Sequence, residues 1–105
     1  MNAFRLTLLA VADLAEIVDY VIAESGVEHA HALLSDIVSA FQRLADMPGI
    51  GHVRHNLAEE EARFWVVHRY LIAYVTLESR IEVVRVLHGA REPELIGKKI
   101  QQQRR

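Results

Sequence analysis

From Phe4 to Leu8 apolar and polar residues alternate, which predicts a half-buried strand. The period then changes. Val11, Leu14, Ala15, Val18, Val21 and Ile22 fall on one helical stripe, with Asp13, Glu16 and Tyr20 opposite. Asp13 and Glu16 sit in or near the first turn of this helix, where carboxylates suit its dipole. Ser25 and Gly26 end it, Gly26 being the natural left-handed residue. A second helix follows at once. Ser25 and Glu28 have the spacing of a capping box. Its apolar stripe is Ala30, Leu33, Leu34, Ile37, Phe41 and Leu44, its wet side Glu28, His31, Ser35, Ser39, Gln42 and Asp46. Met47, Pro48 and Gly49 stop it. Two amphipathic helices joined this closely form an antiparallel hairpin.

Residues 49–62 read as a loop, with Glu59, Glu60 and Glu61 a solvated charge run. Three strands follow, Arg63–Val67, Tyr70–Thr76 and Arg80–His88, with His68-Arg69 and Leu77-Glu78-Ser79 as turns. The first turn lacks Gly or Asn, so the residues do not fix its geometry. Short links between successive strands predict an antiparallel meander. The third strand holds apolar residues on both parities, Ile81, Val83 and Leu87 against Val84 and Val86. That pattern predicts neighbours on both sides and cover on part of both faces. The order is β-α-α-β-β-β, an α+β fold. The first strand joins the sheet, and the helix hairpin covers one face and leaves the other at least partly open.

The 105 residues suit a single domain, placed at 1–95, with a basic polar tail at 96–105. No apolar run approaches a membrane span, and the start lacks the layout of a signal peptide, so no membrane partner is expected. With no cysteine there is no disulfide framework, and a cytoplasmic location fits. The net charge of −2 hides an asymmetry. Residues 1–50 hold two basic and seven acidic side chains, residues 51–105 ten basic and seven acidic. A basic half points to an anionic partner, either nucleic acid or an acidic peptide.

Six histidines invite a metal reading, but His29 and His31 point apart on a helix, and no His-Glu-x-x-His or cysteine ligand is present. No metal and no cofactor is expected. Gly49-Ile50-Gly51 lacks the Lys-Ser/Thr and the following helix of a phosphate loop. A helix-turn-helix reader is disfavoured, because the helix pair displays Asp13, Glu16, Asp19, Glu24 and Glu28. What remains is a cationic cluster at the sheet: Arg54, Arg63, Arg85, His88 and Arg91. Arg85 stands mid-strand among apolar residues. It either pairs inside the fold or points into a groove where an anion or partner docks. Metal-free RNA cleavage would use His88 as base or acid, with Arg85 and Arg91 on the phosphate. Plain partner binding by the five cations is the simpler reading.

The chain resembles the RelE/ParE toxin superfamily. The resemblance rests on Ala12-Asp13-Leu14 with Ile17 and Tyr20, on Ala40-Phe41 to Leu44-Ala45, and on Pro48-Gly49-Ile50-Gly51-His52 with Arg54. Tyr70-Leu71-Ile72 with Tyr74, and Ile81 to Arg91, match best. It covers residues 4–95 and is nearest the ParE branch. The resemblance implies the toxin of a bacterial type II toxin–antitoxin pair, as in plasmid stabilisation. Such a toxin is neutralised by a cognate, ParD-like antitoxin. ParE-like members are understood to poison DNA gyrase without catalysis; RelE-like members cleave messenger RNA on the ribosome.

The residues depart from the nuclease pattern. Gly89 follows His88 where related nucleases can carry Tyr, and the two lysines, Lys98 and Lys99, lie in the tail. The first expectation is therefore a gyrase poison. The alternatives are a ribosome-dependent endoribonuclease using His88, Arg85 and Arg91, and an inactive relative acting as a binding module.

Overall fold

The computed structural model describes residues 3–53 and 62–89. Strand β1 spans Ala3–Leu6, helix α1 Leu8–Ser25 and helix α2 Val27–Asp46. A 3-10 turn at Pro48–Ile50 leads into a short strand β2, His52–Val53. Strands β3 (Arg63–Val67), β4 (Tyr70–Thr76) and β5 (Arg80–His88) complete the order. They form one sheet in the order β1-β5-β4-β3-β2. The helix hairpin lies on one face.

The expected strands and helices are present, with corrections. β1 pairs parallel to β5, from Ala3 beside Arg80 to Leu6 beside Val83, so the sheet is mixed rather than antiparallel throughout. Alternation tells how a strand is buried but not which way it runs. The hairpin serves as the crossover that a parallel pairing requires. Residues 49–62 are not all loop: the 3-10 turn and β2 occupy their start, and β2 pairs with β3. The second face is open only in part, as at Val66, which is exposed. Phe64, Leu71, Ala73, Val75 and Val84 are buried there, with Ala62 beside them. β4 is buried from Tyr70 to Val75, the near-continuous run of a strand covered on both sides.

α1 starts earlier than its pattern implied. Thr7 caps it, its hydroxyl oxygen accepting from the Ala10 N–H at 3.1 Å. Asp13 and Glu16 therefore lie beyond the first turn. The buried stripe is rotated too. Ala10, Asp13 and Ile17 are buried, while Val11, Ala15 and Ile22 are exposed. Leu8, Val11 and Ile22 give α1 apolar residues on its outer side, so period alone could not choose the inner one. The capping box does not form. Ser25 is still helical, and Gly26 separates the helices with φ 94°, a conformation that favours glycine. The two-residue link from β3 to β4 also needs positive φ, which His68 supplies at 54° while its ring bonds Asp36 at 2.8 Å.

β5 is the central strand, with β1 on one side and β4 on the other. Tyr74 pairs with Val83 and Ala73 with Arg85, which leaves Val84 as the extra residue of a β-bulge. The bulge explains why β5 is apolar on both parities. Ile81 and Val83 face the helices before it and Val86 after it, while Val84 and Leu87 join the opposite cluster.

α2 supplies Ile37, Phe41 and Leu44 to the core, all fully buried as its stripe predicted. Phe41 also meets Phe4 of β1, ring centroids 5.4 Å apart. Phe41→Ala should therefore cost about 3–5 kcal/mol, much of a small domain's stability. Urea unfolding checks this, and an unchanged midpoint would mean that the α2 stripe does not carry the core.

Candidate functional site

The sequence grouped five cations, and the structure divides them. Arg54 and Arg91 lie outside the described residues. Arg63 stands on β3, two strands from β5. Arg85 and His88 share β5 and line the same groove.

Arg63 holds backbone. Its guanidinium donates to the carbonyls of Gly51 at 3.0 Å and Gly49 at 3.3 Å. Tyr74 completes a clamp on this turn: its hydroxyl donates to the Pro48 carbonyl at 2.8 Å and accepts from the Gly51 N–H at 2.9 Å. A side chain at position 51 would run into the Tyr74 ring, so glycine is required there by close approach. Burial raises the Tyr74 phenol above its ordinary 10.0, while the Gly51 hydrogen bond and the Arg63 charge pull it down by less.

Arg85 pairs inside the fold. Its Nε and Nη2 donate to both carboxylate oxygens of Asp13, at 2.8 and 2.9 Å. The two side chains are only 13% and 8% exposed. Asp13 also accepts the Val86 N–H at 2.9 Å. Thr7 extends the same seam. Its N–H donates to the Val83 carbonyl at 3.1 Å and its hydroxyl to the Val84 carbonyl at 2.7 Å. β1 stops at Leu6, so these bonds satisfy the edge of β5 where a strand partner is missing. The Asp13 hydrogen bond raises the Arg85 guanidinium above its ordinary value. Burial opposes that rise, and the charges of Asp13 and Glu16 add to it.

The expectation that Asp13 faces water is thus overturned. One signal could have found it. Ala10, Asp13, Leu14, Ile17, Val18 and Val21 form a continuous stripe once a carboxylate is admitted, and a lone arginine in an apolar strand calls for one.

Beyond the seam, β5 runs on to His88 beside α1 and leaves a groove of about 460 Å³. Glu16, Ile17 and Tyr20 form its helix wall, with Tyr70, Leu87 and His88 opposite. His88 is exposed and meets the Tyr70 ring edge-on, centroids 5.3 Å apart. The His88 ring has no hydrogen bond or ion pair among the described residues. Tyr70 is 7% exposed, and its hydroxyl likewise has no hydrogen-bond partner among them. No group of three or more His, Cys, Asp or Glu that could hold a metal occurs among the described residues.

Two outcomes test the seam and the clamp. Removing one partner of a buried pair costs about 3–5 kcal/mol, whereas replacing both with apolar residues is often near neutral. Arg85→Leu should destabilise the fold strongly, and Asp13→Leu with Arg85→Leu should recover part of the loss. Urea titration of both variants reads this; a wild-type midpoint for Arg85→Leu would make the arginine peripheral. A raised Tyr74 keeps its proton in the folded state after the unfolded chain has lost its own. Stability should then be intact below pH 10.0 and fall as pH rises through the folded value. Tyr74→Phe should flatten that alkaline loss in a melting series, though it starts from lower stability.

A family model described as "ParE toxin of type II toxin-antitoxin system, parDE" matches residues 4–93. No curated protein matches the chain. A solved structure titled "Chromosomal ParDE TA system from P. aeruginosa" superposes with a TM-score of 0.73 at 22% identity. The match covers 85% of this chain and 97% of that one, and it supports the two-helix, five-strand fold. With the family model spanning most of the sequence, the chain belongs to the ParE toxins of type II toxin–antitoxin systems.

Proposed function

We propose that this ParE toxin acts by binding, as a poison of DNA gyrase in the cytoplasm, and is held inactive by a cognate ParD-like antitoxin. The observation that carries the reading is the Asp13–Arg85 pair. A nuclease needs cations free to meet the charge that builds on the phosphate, and a base or acid held in place. Arg85 gives both prongs of its guanidinium to Asp13. Arg63 gives its own to the Gly49 and Gly51 carbonyls. His88 stands against Tyr70 with no carboxylate to orient it among the described residues. The five cations named from the sequence remain candidates for partner contact, with Arg85 acting through the seam it builds. No helix of the described residues is long and apolar enough to cross a membrane.

Plasmid supercoiling by purified gyrase should be inhibited by this protein and restored by the product of the adjacent reading frame. His88→Ala should weaken inhibition only as far as it disturbs binding, because no proton needs to move there. Unchanged supercoiling, together with messenger cleavage in a translating extract that His88→Ala abolishes, would transfer the function to a RelE-like endoribonuclease. General acid–base assistance is worth about 10²–10⁴-fold, so that loss would be plain.

A further inference from the structure

The basic half of the chain predicted an anionic partner, but the groove between α1 and the end of β5 has the opposite character. Arg85 is matched by Asp13. Among the charged residues that line the groove, this leaves Glu16, which has no ion-pair partner among the described residues. The helix wall adds Tyr20, 62% exposed, a large aromatic surface held at the mouth. Inside, Tyr70 is only 7% exposed, and its hydroxyl lacks a hydrogen-bond partner among the described residues. A buried hydroxyl without a partner calls for one from outside. Ile17 and Leu87 line the space between them.

We infer that this groove is a subsite for an arginine side chain of a partner protein, the guanidinium held by Glu16 and the Tyr70 hydroxyl. Both oxygens can accept, and a guanidinium supplies several N–H donors in a fixed fork. Its aliphatic stem would lie along Ile17. Its plane would stack on Tyr20. A lysine has the charge but not the fork. A carboxylate or phosphate would meet Glu16 with Arg85 already engaged, and like charges there oppose docking. The occupant is assigned to the antitoxin, which rests on the proposed function; the chemistry of the subsite does not. The groove thus asks for a basic anchor in a segment otherwise expected to favour the basic half of the toxin.

The test is an NMR titration of the isotope-labelled protein with acetyl-Leu-Arg-Leu-amide and, in parallel, acetyl-Leu-Glu-Leu-amide. The arginine peptide should shift Glu16, Tyr20, Tyr70 and His88 saturably, and the glutamate peptide should leave them unmoved. Glu16→Gln should weaken the arginine peptide ~10-fold or more, as expected for a lost charge-assisted hydrogen bond. Tyr70→Phe should weaken it by less. Glu16 is exposed, so its variant should melt with the wild type. Equal shifts with both peptides, or none with either, would overturn the subsite. Calorimetry with the product of the adjacent reading frame separates the two proposals. If that product binds wild type and Glu16→Lys equally well, the antitoxin is the wrong occupant for the groove, although it still binds the toxin. If it fails to bind wild type while the arginine peptide still fills the groove, the antitoxin reading is wrong and the subsite stands.

Discussion

The buried polar link between α1 and the sheet lies at the point where β1 runs out and β5 does not. A central strand that loses its neighbour halfway exposes N–H and carbonyl groups on one edge, and these must find other partners. Thr7 and Asp13 meet them, taking the carbonyls of Val83 and Val84 and the N–H of Val86. The bulge at Val84 lies in the same place. It reverses the parity of β5, so that Val83 and Val86 can both pack beneath the helices. Arg85 falls beside the bulge and answers the charge of Asp13. Neither residue is tolerable there alone, since an unpaired buried charge costs several kcal/mol, on the order of 3–5. The pair fixes the rotation of α1, and with it which residues face the groove.

That rotation decides the electrostatics of the surface. Had α1 presented Asp13 to water, Arg85 would have been free, and the end of β5 would have formed a cationic patch. With Asp13 turned inward, the charge that remains beside the groove is Glu16. A count of charges along the chain is therefore a poor guide to the field at one site. The second half carries a formal excess of basic residues. Two of its arginines are nevertheless engaged in building the fold, one on Asp13 and one on the backbone of the Pro48–Gly51 turn.

Much of the architecture was legible because it depends on period and punctuation. The α2 stripe has polar residues opposite it, and Met47, Pro48 and Gly49 end it without ambiguity. The three later strands were bounded by turn residues, and β5 declared itself central by being apolar on both parities. Two of the errors, at Asp13 and at the direction of β1, share a cause. Each arose where a side chain's partner lies far away in sequence. Asp13 is 72 residues from Arg85, and a hydropathy stripe treats every carboxylate as a wet position. β1 and β5 are separated by most of the chain, so nothing local gave their relative direction. Ser25 and Glu28 had the right spacing for a cap, but α1 kept Ser25 and the link shortened to Gly26. The site was legible as to strand and as to Arg85 and His88, and not as to charge. Glu16, Tyr20 and Tyr70 become neighbours of His88 only after α1 has been rotated onto β5.

The residues that carried the family resemblance can now be assigned physical work. Asp13 and Arg85 make the seam. Pro48, Gly51 and Tyr74 make the clamp, in which a hydroxyl replaces the strand and helix partners that a tight turn lacks. Ala40, Phe41, Leu44 and Ala45 are the inner face of α2. These residues hold helices to sheet and a turn to its neighbour; most of them are closed off from solvent. A motif of this kind specifies a scaffold. It also reaches the groove, since Ile17, Tyr20, Tyr70, Leu87 and His88 belong to the resemblance, whereas Glu16 does not. Membership of the ParE toxins therefore does not by itself settle the charge beside the groove, where Glu16 stands outside the shared pattern.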